Sequence, residues 1–217
     1  MQRPLALFDL DGTLVDRNAA FISAVTSVCQ GFALGPEIEN WILAELADRV
    51  SVADFVRMQE AFALTIPWER LWLSYVEGMV AATSCRPTVV EGLTQLRADN
   101  WTIGVVTNGA SDIQRAKLTA AGLTGLVDGV AVSGDIDVRK PSPRLFELAA
   151  RRCGSALHSR AWMVGDNPAG DIGGGHRAGL RTIWVRSRLW SSDVPSPDRT
   201  VNDVVDAIGI LLNTKPE

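Results

Sequence analysis

The chain is poor in the residues that build thiolate centres, disulfide frameworks and nucleic-acid surfaces. Its 217 residues hold three cysteines, Cys29, Cys85 and Cys153, an odd number with no Cys-x-x-Cys. That excludes a disulfide scaffold and a zinc site as organising features. Lysine occurs only at positions 117, 140 and 215, and the net charge is −4. A phosphate backbone needs clustered Lys and Arg, so no nucleic-acid partner is expected. No stretch approaches the roughly 20 apolar residues of a membrane span. Acidic residues arrive by Asp9, too early for a signal-peptide core. The expectation is a cytoplasmic protein of a reducing compartment with no membrane partner. With 47% hydrophobic residues, this length can bury one good core and a smaller satellite.

What is present begins with Leu5-Ala6-Leu7-Phe8-Asp9-Leu10-Asp11-Gly12-Thr13. The apolar run reads as a buried strand, and Gly12-Thr13 marks a sharp exit from it. Alternate strand residues share a face, so Asp9 and Asp11 are expected to point the same way at the strand's carboxyl end. Open parallel sheets place their ligands at that edge. Two like charges held there require a cation or a proton between them.

From Asp16 to about Thr83 the pattern is helical. Four amphipathic stretches follow one another, with Pro36, a Ser51/Asp54 capping box and Pro67 opening the last three. From Thr88 the rhythm turns to alternating helix and strand, which means βαβ units. Strands are expected at Thr102–Val106, Val127–Val132, Ala161–Val164 and Thr182–Val185, and helices near Thr88–Asp99, Ser111–Ala121, Ser142–Cys153 and Gly174–Ala178. Ser187–Arg199 reads as a polar loop before a closing helix from about Asn202 to Leu212. The fold class is therefore α/β: a doubly wound parallel sheet with a Rossmann-like core and an inserted four-helix cap. The catalytic core spans 1–16 and 88–217, and the cap 17–87.

Polar clusters follow the core strands: Asp9 and Asp11, Thr107-Asn108-Gly109, Lys140-Pro141, and Asp166 with Asp171. Each alone has a bland reading. Asp-x-Asp is common turn chemistry, Thr-Asn-Gly an ordinary turn, Lys140 a surface lysine and Asp171 a helix cap. Their order, each beyond a strand end, is what departs from chance.

In these four motifs the chain resembles the haloacid dehalogenase superfamily, in its phosphatase branch with a helical cap after the first motif. The resemblance covers nearly the whole chain. It implies hydrolysis of a small phosphomonoester, a phosphorylated metabolite, through an aspartyl-phosphate on Asp9. Mg²⁺ is implied as cofactor, held by Asp9, the backbone carbonyl of Asp11, Asp166 and Asp171, the last directly or through water. Asp11 is implied as general acid and base, Thr107 and Asn108 as phosphoryl-oxygen ligands, and Lys140 as fixed positive charge. The cap is expected to close over substrate and exclude water. Arg17 and Asn18, and Gly175 where alanine is common, depart from the family pattern.

Rival readings are weaker. Asp11 disfavours a hydrolytic dehalogenase, whose halide leaves unprotonated. Residues 17–87 hold no lysine, against a phosphonate-cleaving relative, and His158 and His176 lie outside the cap, against a sugar-phosphate mutase. A non-catalytic phosphate- or nucleotide-binding protein remains an alternative, and Gly173-Gly174-Gly175-His176-Arg177-Ala178 matches Gly-x-Gly-x-x-Ala. Those glycines start seven residues after Asp166, not at a strand end. Trp41, Trp68 and Trp72 read as bundle core, and Arg49, Arg57, Arg70 and Arg86 as candidates for a second anionic group on the substrate. Monomer and homodimer are both open.

Overall fold

The computed structural model describes residues 3–47, 50–187, 189–190 and 193–214. In chain order the elements are β1 (Leu5–Phe8), α1 (Arg17–Gly31), α2 (Pro36–Glu45), α3 (Val52–Ala61), α4 (Trp68–Ala82), α5 (Pro87–Ala98) and β2 (Thr102–Thr107). There follow α6 (Ser111–Ala120), β3 (Gly129–Val132), α7 (Pro143–Arg152), β4 (Trp162–Gly165), α8 (Gly173–Arg177), β5 (Arg181–Val185), β6 (Arg199–Val201) and α9 (Val204–Leu212). The chain divides into two compact units, Met1–Val15 with Ser84–Glu217, and Asp16–Thr83.

The first unit is built on one sheet with strand order β3-β2-β1-β4-β5-β6. Every pairing is parallel. Strand alternation sorts its two faces. Leu5 and Leu7 pack with Leu145, Phe146 and Ala149 of α7. Ala6 and Phe8 pack with Val89 and Leu93 of α5 and with Ile208 and Leu211 of α9. Both faces are covered, as a parallel sheet requires, which is why β1 reads as an unbroken apolar run. The sequence order reverses direction on either side of β1, between β2 and β4. In doubly wound sheets the ligand crevice lies at that switch point, beyond the carboxyl ends of the strands.

Two local expectations are corrected. The polar loop expected up to Arg199 does not lead straight into the last helix, because Arg199–Val201 pairs with β5 as a sixth strand. Three residues with only Val201 buried leave no periodic signal. Ser111 opens α6 without capping it; its hydroxyl donates to Asp135 instead.

The second unit contains α1 to α4. Asp16 caps α1 by accepting from the Ala19 N–H at 3.0 Å, and Ser51 with Asp54 forms the expected capping box of α3. Phe21, Ile42, Phe55, Met58, Leu71 and Tyr75 form its core. Trp41 meets Phe62 and Trp72 meets Phe55 edge to face, at 5.8 and 5.5 Å, so both act as bundle packing. Arg57 lies over Trp41 and Arg70 over Phe32, while Arg17 donates to the Ala47 carbonyl and lies over Phe21. Arg49 lies outside the described residues. Among the described residues no helix is long and apolar enough to cross a membrane.

Candidate active site

Four of the sequence-selected residues meet at the carboxyl ends of β1 and β4. Lys140 Nζ lies 2.7 Å from Asp9 Oδ1 and 2.7 Å from Asp171 Oδ1, and it donates to the Val106 carbonyl at 2.9 Å. Asp9, Asp166 and Asp171 each offer a carboxylate oxygen, and these oxygens lie within 4.8 Å of one another. All three acids and Lys140 are buried.

Local folding explains the placement. Asp9 follows β1, where its N–H still bonds the Val164 carbonyl of β4. Asp166 follows β4 directly. Its carboxylate accepts from the Ser187 hydroxyl at 2.9 Å, and its carbonyl from Trp184 Nε1 at 3.0 Å. Asp171 sits in a π-helical turn, Pro168–Ile172, whose cap is Asn167. Such turns widen the backbone locally and recur at functional sites. Asp171 Oδ2 accepts from the Asn167 N–H at 2.9 Å, which aims Oδ1 at Lys140. Lys140 is tied in turn to Asn108: its N–H donates to Asn108 Oδ1 at 2.9 Å, and Asn108 Nδ2 donates back to its carbonyl at 3.3 Å.

The electrostatics show the cost of this crowding. Burial raises the Asp9 carboxyl to about 8; Lys140 opposes the rise, and the charges of Asp171 and Asp166 add to it. Asp171 is raised by burial as well, against Lys140. Burial alone pulls the Lys140 ammonium down, but Asp171 and Asp9 carry it above the ordinary lysine range. Asp9 Oδ1 and Asp171 Oδ1 meet Lys140 by charge, with no well-directed hydrogen bond. A tight all-oxygen donor set of this kind suits a hard divalent cation such as Mg²⁺. Glycines let the backbone lie close against these carboxylates. A Cβ on Gly12, where φ is +82°, would lie 2.7 Å from Asp166 Oδ2, and one on Gly165 would collide with Asp171.

Asp11 has a separate environment. Regular strand alternation stops at Phe8, and Leu10–Val15 forms a tight loop in which the Leu10 carbonyl accepts three backbone N–H groups. The carboxylate of Asp11 turns to α6 and accepts from Lys117 Nζ at 2.9 and 3.0 Å and from Gln114 Nε2 at 2.9 Å. The same Gln114 nitrogen lies 2.8 Å from Thr107 Oγ1, at the end of β2. The sequence reading passed over Gln114, Lys117, Ser187 and Trp184. For the first two a signal existed: positions 114, 117 and 118 form the inner stripe of α6, and two of them are polar.

The model of the haloacid dehalogenase-like hydrolases matches residues 6–185. The chain belongs to that family. It is 41% identical over 113 residues to the phosphoserine phosphatase of Thermus thermophilus, covering 52% of this chain and 45% of that protein. It is 28% identical to the phosphoglycolate phosphatase of Agrobacterium fabrum, covering 96% and 90%. For the phosphoserine phosphatase and two further curated relatives, the matched stretch spans about half of their length. Its fold is that of YfnB from Bacillus subtilis, solved with magnesium bound, at a TM-score of 0.80 over 99% of this chain and 100% of that one, with 21% identity.

Packing around α8 gives the glycine run another purpose. Gly173, Gly174 and Gly175 lie buried in α8. A Cβ on Gly174 would meet the Phe146 ring at 2.7 Å, and one on Gly175 would meet Thr182 Cγ2 at 2.9 Å. These glycines let the helix lie against its neighbours, so the dinucleotide fingerprint is a packing device here. The departure at Gly175 has the same cause.

Proposed function

We propose that this chain hydrolyses small phosphomonoesters, phosphorylated metabolites, by two in-line phosphoryl transfers through Asp9. The observation that carries the reading is the meeting of three buried carboxylates, Asp9, Asp166 and Asp171, around Lys140. Asp9, Asp166, Asp171 and the backbone carbonyl of Asp11 would hold Mg²⁺, which supplies the charge that lets an anionic nucleophile approach an anionic phosphoryl group.

In the first transfer an Asp9 oxygen attacks phosphorus, and the ester oxygen leaves with its electron pair and a proton from Asp11. In the second, water attacks the aspartyl-phosphate, Asp11 takes the water proton, and inorganic phosphate departs. Thr107 hydroxyl and the Asn108 backbone N–H would bind the phosphoryl oxygens, with the Asn108 side chain already committed to Lys140. Lys140 holds fixed positive charge beside the nucleophile throughout.

The test is phosphate release from a panel of sugar phosphates, phosphoglycolate, nucleotides and aryl phosphates with Mg²⁺. Wild type is expected to turn over at least one ester, EDTA to silence it, and magnesium to restore it. Asp9→Asn is expected to abolish turnover. Full activity in that variant, in protein free of contaminating phosphatase, overturns the reading.

A further inference from the structure

Lys117 and Gln114 lie where α6 should be apolar. Both are buried on the inner stripe of that helix, beside Leu118, and the Lys117 side chain is only 6% exposed. A leucine or methionine at either position would bury at no electrostatic cost, whereas a lysine there loses its hydration. Replacing a buried ion pair with apolar residues of similar volume is often neutral or stabilising, so fold stability alone gives no reason for this one.

From this we infer that Lys117 and Gln114 are positioning residues, which aim the Asp11 carboxylate and fix its distance from the phosphoryl-binding hydroxyl of Thr107. Lys117 Nζ contacts both Asp11 oxygens, which sets the plane of the carboxylate. Gln114 Nε2 lies 2.9 Å from Asp11 Oδ2 and 2.8 Å from Thr107 Oγ1, so one amide bridges the two groups. They stand one turn apart on a single helix, and α6 begins four residues after Thr107 at the end of β2. Strand end and helix thus form one rigid support for a group whose own segment is a loop. Catalytic groups held by loops depend on such support, because a displacement of about 1 Å can cost a hundredfold in rate.

The inference rests on Asp11 acting as general acid, and the test separates the two claims. Protonation matters most for a poor leaving group, so kcat/KM is measured on phenyl phosphate and on p-nitrophenyl phosphate with Mg²⁺. This ratio constant reports steps only as far as departure of the phenol. Lys117→Met and Gln114→Leu are each expected to lower kcat/KM on phenyl phosphate about tenfold more than on p-nitrophenyl phosphate, following the pattern of Asp11→Asn at smaller size. The double variant Asp11→Asn with Lys117→Met is expected to be no slower than Asp11→Asn alone, because the lysine acts through the acid. Equal losses on the two esters, or additive losses in the double variant, overturn the positioning role while leaving the acid in place. If Asp11→Asn itself shows no difference between the esters, the general-acid reading falls and this one with it. Melting curves confirm folding. The neutral change Gln114→Leu keeps the test decisive should Lys117→Met fail to fold.

Discussion

In EDTA the protein should lose stability as pH rises from 5 to 7, the reverse of what ordinary surface ion pairs produce. The cause is Asp9, raised by burial to about 8 from an ordinary value of 3.8. Between those values the native state holds a proton that the unfolded chain has released. Each pH unit in that interval then removes about 1.4 kcal/mol of stability. From pH 5 to pH 7 this amounts to about 3 kcal/mol, or roughly 6–12 °C of melting temperature for a chain of this size. Asp171, also raised by burial, acts in the same direction. Lys140, carried above the lysine range, contributes stability that is fully present throughout this window. Asp135 and Asp203 are lowered, and their contribution is lost only as pH falls below the ordinary carboxylate range. His158, lowered by burial, works against the trend below about pH 6.5. The proposed Mg²⁺ would bind the ionised acids, so its stabilisation should grow with pH and flatten the slope. The assay is thermal unfolding followed by circular dichroism at pH 5, 6 and 7, in EDTA and in magnesium, with Asp9→Asn as the variant that removes the Asp9 share of the slope and leaves that of Asp171. A melting temperature in EDTA that is level or rises across this range refutes the electrostatic account of the site.

Three further outcomes are expected. Lys140→Met removes the cation paired with Asp9 and Asp171, and should destabilise the metal-free protein by about 3–5 kcal/mol at neutral pH, with part of the loss recovered in magnesium, as read by urea unfolding. Gly174→Ala drives a methyl group against Phe146 and Pro141, and should cost about 1–3 kcal/mol with no change in the magnesium concentration needed for half-maximal stabilisation. Asp9→Asn should leave the fold intact while abolishing phosphate release, which a melting curve beside the activity assay checks.

The fold was legible where burial is continuous and elements are long. β1 reads as a four-residue apolar run because both of its faces are covered, by α7 on one side and by α5 and α9 on the other. The last three helices of Asp16–Thr83 announce themselves through Pro36, the Ser51 box and Pro67, all of which the structure uses at helix starts. β6 was not legible. An edge strand of three residues, two of them exposed, needs no apolar alternation to pair through its backbone. The π turn around Asp171 was equally hidden, since its signal is one extra residue per turn and not a change of residue type.

The two acids of the first motif are one residue apart, yet their surroundings diverge, and the division of labour assigned to them follows from that difference. Asp9 is buried among Asp166, Asp171 and Lys140, where a carboxylate is stable only beside cations; that suits a nucleophile that must meet a phosphoryl group across a metal ion. Asp11 is more exposed, with 18% of its side chain accessible, and its partners come from α6. A group that exchanges protons with a leaving oxygen and then with water needs such access, together with an aim that does not wander. Motif spacing displays the acids, because their order along the chain is set by the strand that carries them. The partners that separate their chemistry, Lys140 and Lys117, come from segments more than a hundred residues later. The sheet order sets β2, which leads into the helix of Lys117, beside β1. Lys140 is tied to Val106 and Asn108 at the end of that same strand, so both segments reach the acids only in the folded sheet.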